Sequence, residues 1–133
     1  MGASVMYQKI LVPVDGSDHS KRALQESIRM AKMTQGTITL LHVVSKGITQ
    51  EPCEQAEGIL TYTKKIAQAE GVPADSLLLE GKIVEEIVRT AREGNYELIV
   101  IGARGLSKFE ELVLGSVSKG VTENAPCPVI ITK

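Results

Sequence analysis

The chain has 133 residues, of which 43% are hydrophobic and 3% aromatic, and its formal charge is −1. This length suits one domain with a substantial core, predicted over residues 1–133, with residues 1–7 as a flexible start or the remnant of a tag. The balanced charge and scarce aromatic rings argue against nucleic-acid binding. No apolar run approaches the roughly 20 residues that cross a bilayer, so we expect no membrane contact and a cytoplasmic location.

Short apolar segments alternate with segments of helical period along the whole chain. Residues 9–14 form the first predicted strand, and Ser17 or Asp18 then caps a helix that ends near Gly36. A second strand over residues 37–44 precedes a helix closed by Gly71 and Pro73. The rest of the chain repeats the alternation: a strand at 76–80, a helix from Ile83 to Gly94, a strand at 97–102, a short helix before Asn124, and a last strand at 128–132.

This alternation predicts an α/β fold with one doubly wound, five-stranded parallel sheet in the order 3-2-1-4-5 and helices on both faces. In such sheets, ligands bind beyond the carboxyl ends of the strands, where the strand order reverses. That point lies between strands one and four. The loops "PVDGS" and "GARGLSK" follow these two strands, so we expect a binding site there.

Three glycines stand at positions 102, 105 and 115, the first of them at the end of the fourth strand, and Ser116 comes directly after the last. One interpretation is that they are turn residues with positive φ. The other is a phosphate cradle, because glycine lets backbone amides approach an anion, and a helix starting near Ser116 adds its positive end. The spacing is neither a Rossmann fingerprint nor a P-loop, since Val121 stands where the P-loop lysine would be.

The spacing G-x2-G-x9-G-[ST], with "ILVPVDGS", "LLHVV" and "PCPVIITK", closely resembles the universal stress protein family over nearly the whole chain. The resemblance implies the ATP-binding subgroup, with ATP, AMP or ADP bound, either alone or together with Mg²⁺. It also implies a homodimer formed through Val129, Ile130 and Ile131 in the last strand. A wall of Val14 and Val43 would favour adenine over guanine.

The same resemblance assigns roles at the site. Residues lining the pocket would be Pro13, Val14 and Asp15, with Val43 near the adenine. The stretch from Gly102 to Lys108, including Arg104 and Gly105, would wrap the ribose and phosphates. The phosphates would receive amides and hydroxyls from Gly115, Ser116, Val117 and Ser118.

Alternatives remain for several of these residues. Asp15 either holds the ribose or a phosphate-bound cation in the pocket, or caps the first helix or its turn. Arg104 and Lys108 either bind phosphate or are solvated charges, and Ser107 with Glu110 fits a capping box.

No catalytic residue is predicted, because no Ser-His-Asp order, paired acid and base carboxylates or zinc motif is present. Cys53, Cys127, His19 and His42 are predicted to be structural, and a metal site stays unknown. Three functions remain open: a nucleotide-binding regulatory module in a stress response, a weak ATPase, and a dimerising scaffold with a vestigial pocket.

Overall fold

The computed structural model describes residues 6–45, 53–104 and 115–133. Its strands are β1 Lys9–Pro13, β2 Thr37–Val44, β3 Ala74–Glu80, β4 Leu98–Gly102 and β5 Val129–Thr132. Its helices are α1 Asp18–Thr34, α2 Cys53–Ala69, α3 Ile83–Glu93 and α4 Ser116–Asn124. Within the described ranges, no helix is long and apolar enough to cross a membrane.

All five strands lie in one parallel sheet with the order β3-β2-β1-β4-β5, as the sequence predicts. β1 is central, with β2 on one side and β4 on the other. After β1 the chain adds β2 and β3 on one side of it, and after β3 the chain crosses to β4 on the other side. The strand order therefore reverses between β1 and β4. The carboxyl ends of these two strands therefore bound the crevice where a ligand of this fold would bind.

Successive strand residues pack on opposite faces of the sheet and form two separate cores. Ile10, Val12 and Val14 join the core that includes Leu24 of α1 and Leu60 of α2. The other face is packed by α3 and α4, in the core that contains residues such as Leu11, Leu41, Val43, Ile87 and Val121. The apolar runs of the strands reflect this burial on both faces.

The ends of the elements differ slightly from the predictions. β1 ends at Pro13, although the Val14 N–H still donates to the Leu41 carbonyl at 2.8 Å. α1 ends at Thr34, and the left-handed residue that closes it is Gln35, with φ 58°, instead of Gly36. Glycine is more favourable than glutamine in the left-handed region, so the sequence favours Gly36 as the cap. The structure shows that Gln35 takes this role.

Candidate functional site at the carboxyl edge of β1 and β4

Two loops and one helix end meet where the strand order reverses, and we call this region the β1/β4 edge. It consists of residues 14–17 after β1, residues 102–104 at the end of β4, and residues 115–118 at the start of α4. Pro13, which ends β1, is half-buried and stands opposite Leu41 of β2. Gly105 and Lys108 of the predicted site lie outside the described residues, as do Ser107 and Glu110 of the predicted capping box.

The turn between β1 and α1 is held by its own polar side chains. Oδ1 of Asp15 accepts the Ser17 N–H at 2.9 Å, and Oγ of Ser17 accepts the Ser20 N–H at 3.1 Å as the N-cap of α1. The N–H of Asp15 in turn donates to Oγ of Ser20 at 3.2 Å. Asp15 therefore stabilises the turn with one carboxylate oxygen, and its half-buried side chain keeps a second oxygen for other partners.

Val14 and Val43 do not form one apolar wall, so the structure corrects that expectation. Val14 is 3% exposed and packs in the core on the α1 and α2 face, whereas Val43 packs on the opposite face with α3 and α4. The Val14 N–H donates to Leu41, and the Val14 carbonyl is 2.6 Å from Nδ1 of His42. The ligand contacts predicted for both valines remain predictions. Because the Val14 N–H is already paired, the backbone of Val14 can offer a ligand only the second lone pair of its carbonyl oxygen.

The start of α4 is fixed against the end of β4 through one carbonyl group. The carbonyl oxygen of Ala103 accepts the N–H of Gly115 at 2.8 Å and the hydroxyl of Ser118 at 2.7 Å. A serine hydroxyl has a single hydrogen, so Ser118 as found here donates to the protein backbone. Its predicted donation to a phosphate would require this bond to break.

No side chain in the described part of the protein caps the N-terminus of α4. Gly115 is the N-cap residue and supplies no side-chain acceptor, and the first turn carries no acidic residue. The first N–H groups of an α-helix have no acceptor within the helix. The amides of Ser116 and Val117 therefore remain as donors at the positive end of the helix dipole, beside the carboxyl end of β4. Such an arrangement suits an anion.

The two described glycines of the motif have different surroundings. Gly115 has φ −69°, and Gly102 is not among the positive-φ residues, so the turn interpretation based on positive φ is wrong for both. A Cβ on Gly102 would lie 2.7 Å from the carbonyl carbon of His19, so this glycine allows α1 to pack against β4. A Cβ on Gly115 would lie 3.2 Å from the Ala103 carbonyl oxygen, a tight contact that smaller shifts would relieve.

The remaining candidate groups lie in different parts of the fold, and Cys127 precedes β5 at the amino ends of the strands. Arg104 is half-buried just after β4. His42 is 4% exposed, and Nδ1 of His19 is buried without a hydrogen-bond partner in the described part of the chain. Burial raises the pKa of the Cys127 thiol, which disfavours its reactive thiolate form. Across residues 6–45, 53–104 and 115–133, no group of three His, Cys, Asp or Glu side chains is placed to hold a metal ion.

Sequence reasoning missed two groups that organise the site. Ser20 is one of several serines in the chain, and Ala103 contributes a backbone oxygen that no side-chain pattern reports. A weak signal for Ser20 exists, because it stands three residues after the N-cap, where a polar side chain often bonds back to the preceding turn.

The fold and this edge together define a doubly wound α/β protein in which the start of α4 lies at the switch point of the sheet. The chain belongs to the universal stress protein family, whose family model matches residues 6–133. It is 32% identical to the universal stress protein YxiE of Bacillus subtilis (strain 168), over 96% of this chain and 100% of that protein.

Two solved structures extend the comparison. The universal stress protein UspA from Lactobacillus plantarum has a TM-score of 0.80 and 26% identity, over 98% of this chain and 100% of that one. A universal stress protein from Archaeoglobus fulgidus, solved in complex with dAMP, has a TM-score of 0.76 and 28% identity, over 96% of this chain and 99% of that one.

Proposed function

We propose that this chain binds an adenine nucleotide at the β1/β4 edge, as a member of the ATP-binding subgroup of its family. The observation that carries the proposal is the N-terminus of α4, which has no side-chain cap among the described residues and no acidic residue in its first turn. Unpaired amides at the positive end of a helix favour a phosphate group. The double hydrogen bond to Ala103 holds these amides in place before a ligand arrives, which lowers the entropic cost of binding.

The charge around this helix end also favours a phosphate. Arg104 follows β4, and the sequence places Lys108 a few residues later. We assign the phosphates to the amides of Ser116 and Val117, with Gly102, Gly105 and the two cations around them. The Gly115 N–H, which already donates to the Ala103 carbonyl, fixes the start of the helix. Ser118 acts through its bond to Ala103 and fixes the helix, instead of contacting the ligand.

The base is assigned from the relative. The Archaeoglobus fulgidus protein, at 28% identity, was solved with dAMP, which supports an adenine nucleotide for this chain. We propose ATP, ADP or AMP as the natural ligand. Mg²⁺ would bind only together with the phosphates, because the described residues bring no three acidic, histidine or cysteine side chains together.

A dimer of this chain is the second part of the proposal. β5 pairs with β4 on one side only, and all four of its residues are half-buried. An edge strand with partly exposed apolar side chains is a surface that natural proteins cover. We propose that a second copy covers it about a two-fold axis, through Val129, Ile130 and Ile131. The protein then acts as a dimeric, nucleotide-responsive regulator in a stress response, located in the cytoplasm.

The proposed ligand is tested by calorimetric titration of the purified chain with dAMP, AMP, ATP and GTP. We expect the adenine nucleotides to bind and to raise the melting temperature, since a ligand specific for the folded state stabilises it. GTP should bind more weakly. Equal affinities for GTP and ATP would refute the adenine assignment. A chain that binds none of the four would leave the dimerising scaffold as the better description.

A further inference from the structure

Two buried polar side chains hold opposite ends of one peptide group at the β1/β4 edge. The peptide joins Val14 to Asp15. Its carbonyl oxygen lies 2.6 Å from Nδ1 of His42, and its N–H donates to Oγ of Ser20 at 3.2 Å. The chain has no cis peptide bond among its described residues, and the C=O and N–H of a trans peptide point in opposite directions. Contacts at both ends therefore fix the rotation of the whole unit.

The contact with His42 determines which ring nitrogen carries hydrogen. A carbonyl oxygen only accepts, so Nδ1 of His42 must donate. His42 is 4% exposed and Ser20 is 5% exposed, so water competes little with either bond. The strand register explains the geometry. Pro13 stands opposite Leu41, so the next residue of the chain, Val14, comes beside His42 as β1 ends.

The peptide fixed by His42 and Ser20 includes the backbone nitrogen of Asp15. Asp15 is half-buried, whereas His42 and Ser20 are buried. One of its oxygens accepts from Ser17, so the carboxylate is oriented as well as its backbone. A carboxylate repels phosphate and accepts hydrogen bonds from hydroxyl groups. A sugar hydroxyl is therefore the part of a nucleotide that Asp15 suits.

We infer that His42 and Ser20 are positioning residues of the nucleotide site, which act through the peptide between Val14 and Asp15 to present Asp15 to the sugar. This inference rests on the proposed nucleotide binding. It assigns a function to two side chains that would otherwise be core residues, and neither of them touches the ligand.

The test compares dAMP affinity and urea unfolding for a set of variants of the full chain. His42→Leu removes the donor while keeping an apolar side chain of similar size. His42→Asn restores an N–H group near the position of Nδ1. Ser20→Ala removes the acceptor at the other end of the peptide. Ser27→Ala is the matched control, because Ser27 is a fully buried serine of the same helix that bonds within it, to the Leu24 carbonyl.

We expect His42→Leu and Ser20→Ala to weaken dAMP binding by about 3- to 10-fold, the range of one lost hydrogen bond. His42→Asn should recover most of the affinity, and Ser27→Ala should bind like the parent even if it is less stable. In an Asp15→Ala background, His42→Leu and Ser20→Ala should cause no further loss, because their effect passes through Asp15.

The outcomes separate the two proposals. A parent chain that does not bind dAMP overturns nucleotide binding and this inference with it. A parent that binds, with His42→Leu or Ser20→Ala equally tight, overturns the inference alone. The inference is also overturned if either change weakens binding to the same extent with and without Asp15. Ser20→Ala decides the matter if His42→Leu does not fold.

Discussion

Replacing Gly102 with alanine should destabilise the fold, although alanine adds one methyl group. The new Cβ would lie 2.7 Å from the carbonyl carbon of His19 and 2.8 Å from its Cβ and its carbonyl oxygen. Carbon atoms in good contact are about 3.5–4.0 Å apart, so α1 and β4 must separate by most of an ångström. The same His19 carbonyl accepts the Thr132 hydroxyl at 3.2 Å, and this bond would lengthen as α1 moves.

The size of the effect follows from two opposing terms. Forcing an extra methyl into a packed interface costs about 1–3 kcal/mol. Alanine also restricts the unfolded chain, which returns about 0.4–1 kcal/mol where the backbone angles suit it, as they do here because φ is not positive. The net loss is about 1–2 kcal/mol. For a chain of this length, that corresponds to a melting temperature about 4–8 °C lower.

Urea unfolding followed by circular dichroism measures this loss. Gly58→Ala is the matched control, because Gly58 lies in α2, and a Cβ there would meet no atom within 4 Å. Alanine in that helix should stabilise the chain by about 0.5–1 kcal/mol. If Gly102→Ala is as stable as the parent while Gly58→Ala gains stability, then Gly102 is not needed for the packing of α1 on β4. Its role would then be in ligand binding.

Three further predictions concern the helix end, the sheet edge and one ion pair. Gly115→Val should abolish nucleotide binding while the chain stays folded, because φ −69° suits valine and its side chain would crowd the Ala103 carbonyl that anchors the start of α4. Unchanged affinity in calorimetry would show that the cradle is elsewhere. Ile130→Lys should give a monomer in light scattering. Leu78→Lys, on the same face at the opposite sheet edge, should leave a dimer, and an unchanged mass for Ile130→Lys would exclude β5 as the interface. The hydrogen bond and charge of Lys32 lower the pKa of Glu70, so this ion pair stabilises the fold above the unfolded pKa of Glu70, and the stabilisation is lost as pH falls through the lower folded pKa. Lys32→Gln should therefore make the melting temperature depend less on pH in this acid range. Parallel plots of melting temperature against pH for the variant and the parent would contradict this.

The order of the elements could be read from the sequence because burial on both faces leaves continuous apolar strands and periodic helices. Contacts across strands could not be read in the same way. The register sets Ile10 opposite Ile38, so the residue that comes beside Val14 is His42, and Val43 points to the other face. The sequence does not give this register, and a shift of one residue between neighbouring strands changes which side chains lie on the same face of the sheet.

The glycine spacing indicated the region in which we propose the site, but not the structural reason for each glycine. Gly102 is required by the close approach of His19, which is far away in the chain, whereas a Cβ at Gly115 would make only a tight contact with the Ala103 carbonyl. The same limit applies to Ala103, whose carbonyl is invisible to any pattern of side chains. The sequence indicates where a backbone must come close, and only the folded chain shows to what.

The paired hydrogen bonds at the Ala103 carbonyl have a consequence for how this family can diversify. They join the end of β4 directly to the start of α4, so the start of the helix has an anchor outside residues 105–114. The entropic cost of closing a loop grows only slowly with its length. Insertions or deletions in this segment should therefore be tolerated by the fold, which leaves the segment free to acquire new ligand contacts over evolution.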